Sequence, residues 1–470
     1  MPARLAVPTL TLALATVLWL AMGQAAVVNY DTLYGLLWGK ELLDGALPDM
    51  TVPGAPTPHP LLTLWGVVVA PLLGSASPAA LSLIAYMGYL ATATCVVLLG
   101  LVATRSLGAA AAVVAALLLV TREPVLSYGL RAYLDLPYLA LLLGALAVEL
   151  RKPRAGTPVL GLLLLAGLLR PEAWLLSMAY LAWLAVGEFP GRRTQVVWLA
   201  LAAGGPVLWG LTDLLLTGDL LFSFSGTRAG TERLERPTGL SGLVNIAPRR
   251  IGEILRWEVI LGAAAGALLL LRADNPKAKV VAVATAAAAA AFALVAIGGL
   301  PVIVRYLLPL GAAGCLACAY ALTGWRSDPS IPFGRAWAAG AGVLTLALLL
   351  LAPEQARRLD RLQSSLSAQQ ITVTELEALT REVPCGPIIV PNRRAVPLVA
   401  LWTGEPARGI VTAQDGPIPD RGSYLLPSTQ EHADAFILDA RDRDRAIPPP
   451  PPGFDIEDRT TRWVLAARCD

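Results

Sequence analysis

Residues 280–297 read VVAVATAAAAAAFALVAI, with no charged side chain among them. A helix needs about 17 to 25 consecutive apolar residues to cross the hydrocarbon core of a bilayer. Comparable runs recur at 5–27, 79–103, 194–216 and 337–351. Around them the chain of 470 residues is 56% hydrophobic and only 15% charged, with a mean hydropathy of +0.61. Soluble domains carry about 25% charged residues, so lipid is the solvent for most of this chain. The net charge of +3 is small and no basic cluster is interleaved with aromatics, which excludes a nucleic-acid partner.

The fold class that follows is an α-helical polytopic membrane protein. About eleven transmembrane helices are expected, at 5–27, 78–103, 107–121, 133–150, 156–169, 172–187, 194–216, 257–271, 280–298, 302–325 and 336–353. A cleaved signal peptide is the alternative for 5–27, where Gly23-Gln24-Ala25 resembles a small-residue cleavage site. Its apolar core exceeds the usual length and only Arg4 precedes it, so it is read as the first helix. The apolar stretch 61–74 is short for a crossing and is read as interfacial or re-entrant. Leaving it out places the N-terminus in the cytoplasm and the C-terminus outside the plasma membrane. The density of Lys and Arg agrees, with 12 in roughly 40 cytoplasmic positions against 11 in more than about 100 outer positions before residue 354. The helices 156–169 and 172–187, interrupted by Arg170-Pro171-Glu172, are read as broken or tilted around a polar cavity.

Beyond residue 353 the composition changes. Residues 354–381 are charged and helix-like, followed by β-rich runs at 387–390, 409–412, 424–426, 435–438 and 462–466 and a proline run at 448–452. The expected domains are 1–353, including a first extracytoplasmic loop at 28–77, and a small extracytoplasmic α/β or α+β domain at 354–470. Cys95, Cys315 and Cys318 lie in apolar helices, where a thiol behaves as a small hydrophobe. Cys385 and Cys469 bracket the tail and read as one disulfide in an oxidising compartment.

Charges beside apolar helix ends are expensive and therefore candidates for function. Four groups qualify, all on the outer face of this topology. Asp31, in Asn29-Tyr30-Asp31-Thr32, precedes an amphipathic stretch reaching Leu47 and is either an N-cap or a functional carboxylate. His59, between Pro58 and Pro60, is either a solvated loop histidine or a ligand-binding one. Asp135 opens the fourth helix with Arg122 and Arg131 before it, again as cap or functional acid. Arg170 and Glu172 flank Pro171, and Arg305-Tyr306 opens a late helix, where an interfacial arginine ordinarily snorkels. Arg249 and Arg250 are weaker basic candidates. Acids beside arginines at one face can hold a hydroxylated acceptor and an anionic leaving group together.

These motifs, taken in order, resemble the GT-C superfamily of polytopic glycosyltransferases, of the protein mannosyltransferase and aminoarabinose transferase type. The resemblance rests on Asp31 after helix one, Gly-Lys-Glu-Leu-Leu-Asp-Gly at 39–45, and Pro58-His59-Pro60-Leu61 before a short apolar helix. It continues through Leu134-Asp135-Leu136-Pro137 and Arg305-Tyr306-Leu307-Leu308-Pro309. It implies a hexosyl- or pentosyltransferase of the cell envelope that moves a sugar from a polyprenyl-phosphate donor to a hydroxyl by inverting displacement. The implied partners are that lipid-linked sugar, a glycan, lipid or protein acceptor, and the bilayer. Asp31 would be the general base and Asp135 its support or that of the acceptor. Arg131, Arg305 and His59 would neutralise the leaving phosphate, with Arg122, Arg170, Glu172 and Tyr306 completing the substrate-binding set. No cofactor is implied, and a divalent metal is left open. Where many members show paired acids, this chain has Asp31-Thr32, a single base candidate. The rival readings are a secondary transporter and a non-catalytic membrane scaffold. A transporter predicts carboxylates deep in helices and internal two-fold symmetry, whereas these acids gather at one face and Asp213 lies within a turn of its helix end.

Overall fold

The computed structural model describes residues 3–52, 54–73, 76–187, 191–326, 333–437 and 446–470. Its helices in chain order are α1 (Ala3–Ala21), α2 (Tyr30–Leu43), α3 (Pro60–Leu73), α4 (Pro78–Ser106), α5 (Ala109–Val120), α6 (Glu123–Leu130), α7 (Asp135–Arg151), α8 (Thr157–Gly167) and α9 (Glu172–Ala185). There follow α10 (Arg192–Thr217), α11 (Phe222–Arg233), the single turn α12 (Gly239–Ser241), α13 (Ala247–Arg272), α14 (Pro276–Ile297), α15 (Leu308–Thr323), α16 (Gly334–Arg381) and α17 (Val396–Thr403).

Among the described residues, six stretches are long and apolar enough to cross a membrane: Pro78–Ser106, Arg192–Thr217, Gly239–Arg272, Pro276–Ile297, Val304–Arg326 and Gly334–Arg381. This is a multi-pass membrane protein. The pair α5 and α6, bent by 66°, makes a seventh if it is counted as one span. The second limb, α6, is absent from the expected segments. Thr121 is the C-cap of the first limb and Arg122 the N-cap of the second, and Pro124, which lacks the N–H to continue a helix, sits in the first turn of the second. The remaining expected segments, α1, α7, α8 and α9, are helices too but fall outside these stretches, the apolar part of α1 being Ala6–Ala21 and α8 and α9 being shorter still. The stretch read as interfacial is α3, described to Leu73; Gly74 lies outside the described residues.

The chain divides into two compact units that interleave in sequence. The first comprises Met1–Ala21, Tyr86–Leu211 and Arg236–Leu362. Its helices approach closely where one of them carries glycine. A Cβ on Gly266 would lie 1.8 Å from the Ala317 carbonyl oxygen, and one on Gly129 would lie 1.9 Å from Thr92 Oγ1. Small residues permit such contact between helices in lipid, where dispersion rather than water exclusion drives association. Cys95, Cys315 and Cys318 are fully buried free thiols in this core, as their apolar surroundings predict.

The second unit comprises Met22–Ala85, Thr212–Glu235 and Gln363–Asp470. The first loop therefore packs with the C-terminal region, and the division falls at 362/363, inside the 48-residue α16. Within it α2 crosses α3 through glycine: a Cβ on Gly39 would sit 2.2 Å from the Gly66 carbonyl carbon, and one on Gly66 2.0 Å from the Gly35 oxygen. With α17 also against α2, every residue from Thr32 to Gly39 is buried. The expected one-sided amphipathic stretch to Leu47 is thus a helix enclosed all round that stops at Leu43.

The sheet of this unit runs β2–β1–β3–β5–β4, from β1 (Ile388–Val390), β2 (Val411–Thr412), β3 (Gly422–Pro427), β4 (Asp455–Arg459) and β5 (Trp463–Arg468). β1 is parallel to β2 and β3, while β3/β5 and β5/β4 are antiparallel, with Tyr424 facing Ala466. A parallel pair needs a crossover, and α17 supplies it between β1 and β2. Four of the five expected strands coincide with β1, β2, β3 and β5. The fifth, 435–438, is corrected: 433–437 form a helical turn after the cap Thr429, and Leu438 lies outside the described residues. β4 was not expected, because Asp-Ile-Glu-Asp-Arg is exposed throughout and shows no apolar alternation. Cys385 and Cys469 form the expected disulfide, with Cα atoms 5.8 Å apart.

Candidate active site

In the first unit the turn 131–134 delivers Asp135 to the start of α7. The N-cap there is Leu134, which makes no side-chain cap bond, so the capping account of Asp135 fails. Its side chain is 1% exposed and paired instead. Arg170 Nη1 donates to Asp135 Oδ1, and Arg305 Nη1 lies 3.9 Å from Oδ2. Arg170 Nη2 donates to Glu172 Oε1 at 2.7 Å. Pro171 separates the two partners, and the Arg170 N–H still bonds back to Ala166 O at 2.8 Å, which closes α8. The Arg170 guanidinium stands 3.6 Å from the Tyr306 ring centre and 5.5 Å from that of Tyr138. Arg305, in the tight turn Val304–Leu307 that leads into α15, stands 5.6 Å from the rings of Tyr133 and Tyr306.

Five sequence candidates therefore meet: Asp135, Arg170, Glu172, Arg305 and Tyr306. Two carboxylates and two guanidiniums balance, which is the condition under which buried charge is tolerated. Arg305 is the most exposed of the four, at 19% for its side chain. Bidentate arginine geometry suits carboxylate and phosphate equally, so the open end of this network is fit to receive an anion.

Arg122 and Arg131 have other partners. Arg122 ties the end of α5 to α13, with Nε donating to Leu118 O at 3.1 Å and Nη1 to Leu255 O at 3.0 Å. Arg131 Nη1 donates to Ser127 Oγ at 2.7 Å, one turn back in its own helix. Arg249 and Arg250 pair with Glu253. Two buried acids of this unit escaped the sequence reading. Glu258 lies 3.8 Å from Arg122 and 3.4 Å from Arg256, whose φ of +65° breaks α13. Glu149 accepts from Arg154 N, Tyr180 Oη and Trp183 Nε1 at 2.7, 2.6 and 3.0 Å. Each is an acid within an expected apolar segment, Glu149 in 133–150 and Glu258 in 257–271, a signal that was available.

In the second unit the N-cap of α2 is Asn29, whose Oδ1 accepts from the Asp31 and Thr32 N–H groups at 2.8 and 3.4 Å. The capping account of Asp31 is corrected by two positions. Asp31 is the second residue of the helix and half-buried, where the helix dipole favours an ionised carboxylate. His59 directly precedes α3, and its carbonyl accepts the Thr63 N–H at 3.0 Å.

No protein-family model matches the sequence, and no curated protein matches it. Solved structures do match. The crystal structure of ArnT from Cupriavidus metallidurans bound to undecaprenyl phosphate aligns over 98% of this chain and 97% of its own. Its TM-score is 0.57 and its identity to this chain 15%. The apo structure of the same protein aligns over 99% and 98%, with a TM-score of 0.52 and 15% identity. Both alignments run from the first helix through the C-terminal sheet. The chain shares the fold of that ArnT over nearly its whole length.

Proposed function

We propose that this protein transfers a sugar from a polyprenyl-phosphate donor to a hydroxyl on an extracytoplasmic glycan, lipid or protein acceptor. The observation that carries this reading is the neutral, aromatic-flanked network of Asp135, Arg170, Glu172 and Arg305. It sits in a fold shared over nearly its whole length with a protein that holds undecaprenyl phosphate. Arg305 receives the donor phosphate, while Arg170, held by Asp135 and Glu172, fixes the ring of Tyr306 beside it. Asp31 takes the proton from the acceptor hydroxyl as its oxygen bonds to the anomeric carbon. The bond from that carbon to the phosphate oxygen breaks, the polyprenyl phosphate leaves with the electron pair, and the anomeric centre inverts. His59 belongs to the anion-binding set of this reading. The C-terminal region lies outside the cytoplasm, where its disulfide is stable.

The test uses the purified full-length protein in detergent with undecaprenyl phosphate as the probe. Saturating lipid should raise the melting temperature, since a ligand that binds only the native state stabilises it. Arg305→Ala should lose that shift, read against the melting of the same variant without lipid. A wild-type protein indifferent to the lipid would count against the proposal.

A further inference from the structure

The C-terminal sheet lies in the same compact unit as Asp31, and one side chain joins the two regions. Arg393 occupies the turn between β1 and α17, where Asn392 Oδ1 accepts the Arg394 N–H at 3.0 Å. Its side chain lies across Gly54, so that a Cβ there would stand 2.3 Å from Arg393 Cδ. Gly54 has φ +78°, a left-handed conformation that glycine adopts without strain. Its carbonyl accepts the Tyr30 hydroxyl, and Tyr30 is the first residue of α2, next to Asp31. A continuous contact path thus runs from Arg393 through Gly54 and Tyr30 to the proposed base.

The electrostatics follow the same path. Burial first, then Tyr34, pushes the Tyr30 phenol well above its usual range; Arg393 opposes this and Asp31 adds to it. The other ionisable groups around these turns are Lys40 and Glu41 on α2, Asp49 in the next loop, and Arg408, whose charge acts on Glu41. α3 contributes none, since residues 60–73 contain no ionisable side chain. The Arg393 charge acts on both Tyr30 and Tyr34, which places it at the start of α2 among Asp31, Glu41 and Asp49.

We propose that Arg393 is a positioning residue for Asp31: the C-terminal domain clamps the Gly54 loop and the first turn of α2, and sets a cation beside the base. This rests on the reading of Asp31 as the base. The clamp fixes where the carboxylate stands, and the cation favours its ionised form. The C-terminal domain is then part of the catalytic apparatus, acting on Asp31 from the turn that follows β1.

Two measurements test this. In Asp31→Cys the new thiol is the reactive one, because Cys95, Cys315 and Cys318 are buried and Cys385 is bonded to Cys469. The pH midpoint of its alkylation by iodoacetamide should rise by about half a unit or more when Arg393→Gln is added, since a neighbouring cation lowers a thiol pKa. Arg393→Lys should restore it, and Arg394→Ala should not move it. In membranes supplied with undecaprenyl-phosphate-linked hexoses and pentoses, Arg393→Gln should cut kcat by about tenfold at unchanged KM. It should also move the acid limb of the pH profile upward, as removing the cation raises the carboxylate pKa. If Arg393→Gln misfolds, Gly54→Ala displaces the same side chain and should give the same thiol shift. An unmoved thiol midpoint in a folded variant overturns the proposal. Full transfer by Asp31→Asn would instead overturn the reading of Asp31 as base, and would leave the thiol result standing.

Discussion

In one compact unit Asp135, Arg170 and Glu172 are each under a tenth exposed, and Arg170 bonds both acids. In the other, Asp31, Glu41 and Arg393 are half-buried, and Arg393 reaches its neighbours through space and packing. The contrast follows from solvent. A charge surrounded by apolar helices must be matched on the spot, because the desolvation cost is several kcal/mol per ion. A charge at a half-wet surface can remain incompletely paired and stay responsive to ligand and pH. The first arrangement suits a fixed receptor for an anion, and the second suits a group that must change protonation during a reaction.

The sharpest way to break the comparison is Arg170→Ala. It leaves Asp135 and Glu172 uncompensated in the interior, and removing one member of a buried pair costs about 3–5 kcal/mol. Membrane yield and melting temperature should both collapse. Arg170→Lys keeps the charge but cannot bond two carboxylates in a planar fork, so an intermediate loss is expected. An Arg170→Ala protein that folds normally would show the network to be dispensable.

Asp31→Asn should act oppositely, on rate and not on folding. Asn29 already caps α2, so the substitution leaves the helix start intact. Loss of a general base lowers transfer by about 10²–10⁴. Asp135→Asn, run beside it, should lose less rate if its role is support. Wild-type transfer by Asp31→Asn would remove Asp31 from the mechanism.

The disulfide sharpens the contrast on the stability side. Cys385 and Cys469 are 84 residues apart, and the chain-entropy model gives roughly 4 kcal/mol as an upper figure for a loop of that length. Cys385→Ser should therefore lower the melting of the C-terminal sheet and make Cys469 reactive to thiol reagents. A reactive thiol at 469 in the untreated wild-type protein would contradict the pairing.

The sequence made some of this visible and hid the rest for physical reasons. The apolar runs are local, and each became a helix. Asp135, Arg170, Glu172 and Arg305 were each conspicuous as a charge at an apolar helix end. That they form one network was not visible, because residues 135, 170 and 305 meet only through helix packing. Asn29 took the capping role allotted to Asp31 because both residues can cap, and only backbone geometry chooses between positions two apart. α17 stayed hidden because Val-Pro-Leu-Val-Ala-Leu-Trp-Thr is a short apolar run, and periodicity cannot tell helix from strand at that length.

The smallest effect expected, and the one that separates the two units by pH, concerns Glu41. Burial raises its carboxyl to about 7, with the Asp49 N–H and Lys40 pulling the other way and the Asp49 charge adding to the rise. An unfolded glutamate titrates near 4.3. The folded state therefore favours the protonated form, and the resulting stability is fully present below the unfolded value. It fades as pH climbs through about 7, where the folded chain must also ionise a half-buried group. The melting temperature of the wild-type protein should fall between about pH 4.5 and 7.5 by a small amount, since partial exposure lets water share the charge. Glu41→Gln removes the titration, so its melting should be flatter across that window and exceed wild type at pH 8. Glu41 takes no part in the Asp135, Arg170 and Glu172 network, so Glu41→Gln should leave lipid-phosphate binding unchanged at every pH. Equal slopes for wild type and Glu41→Gln would mean that water already satisfies this carboxylate, and that α2 is more open at Glu41 than its packing indicates.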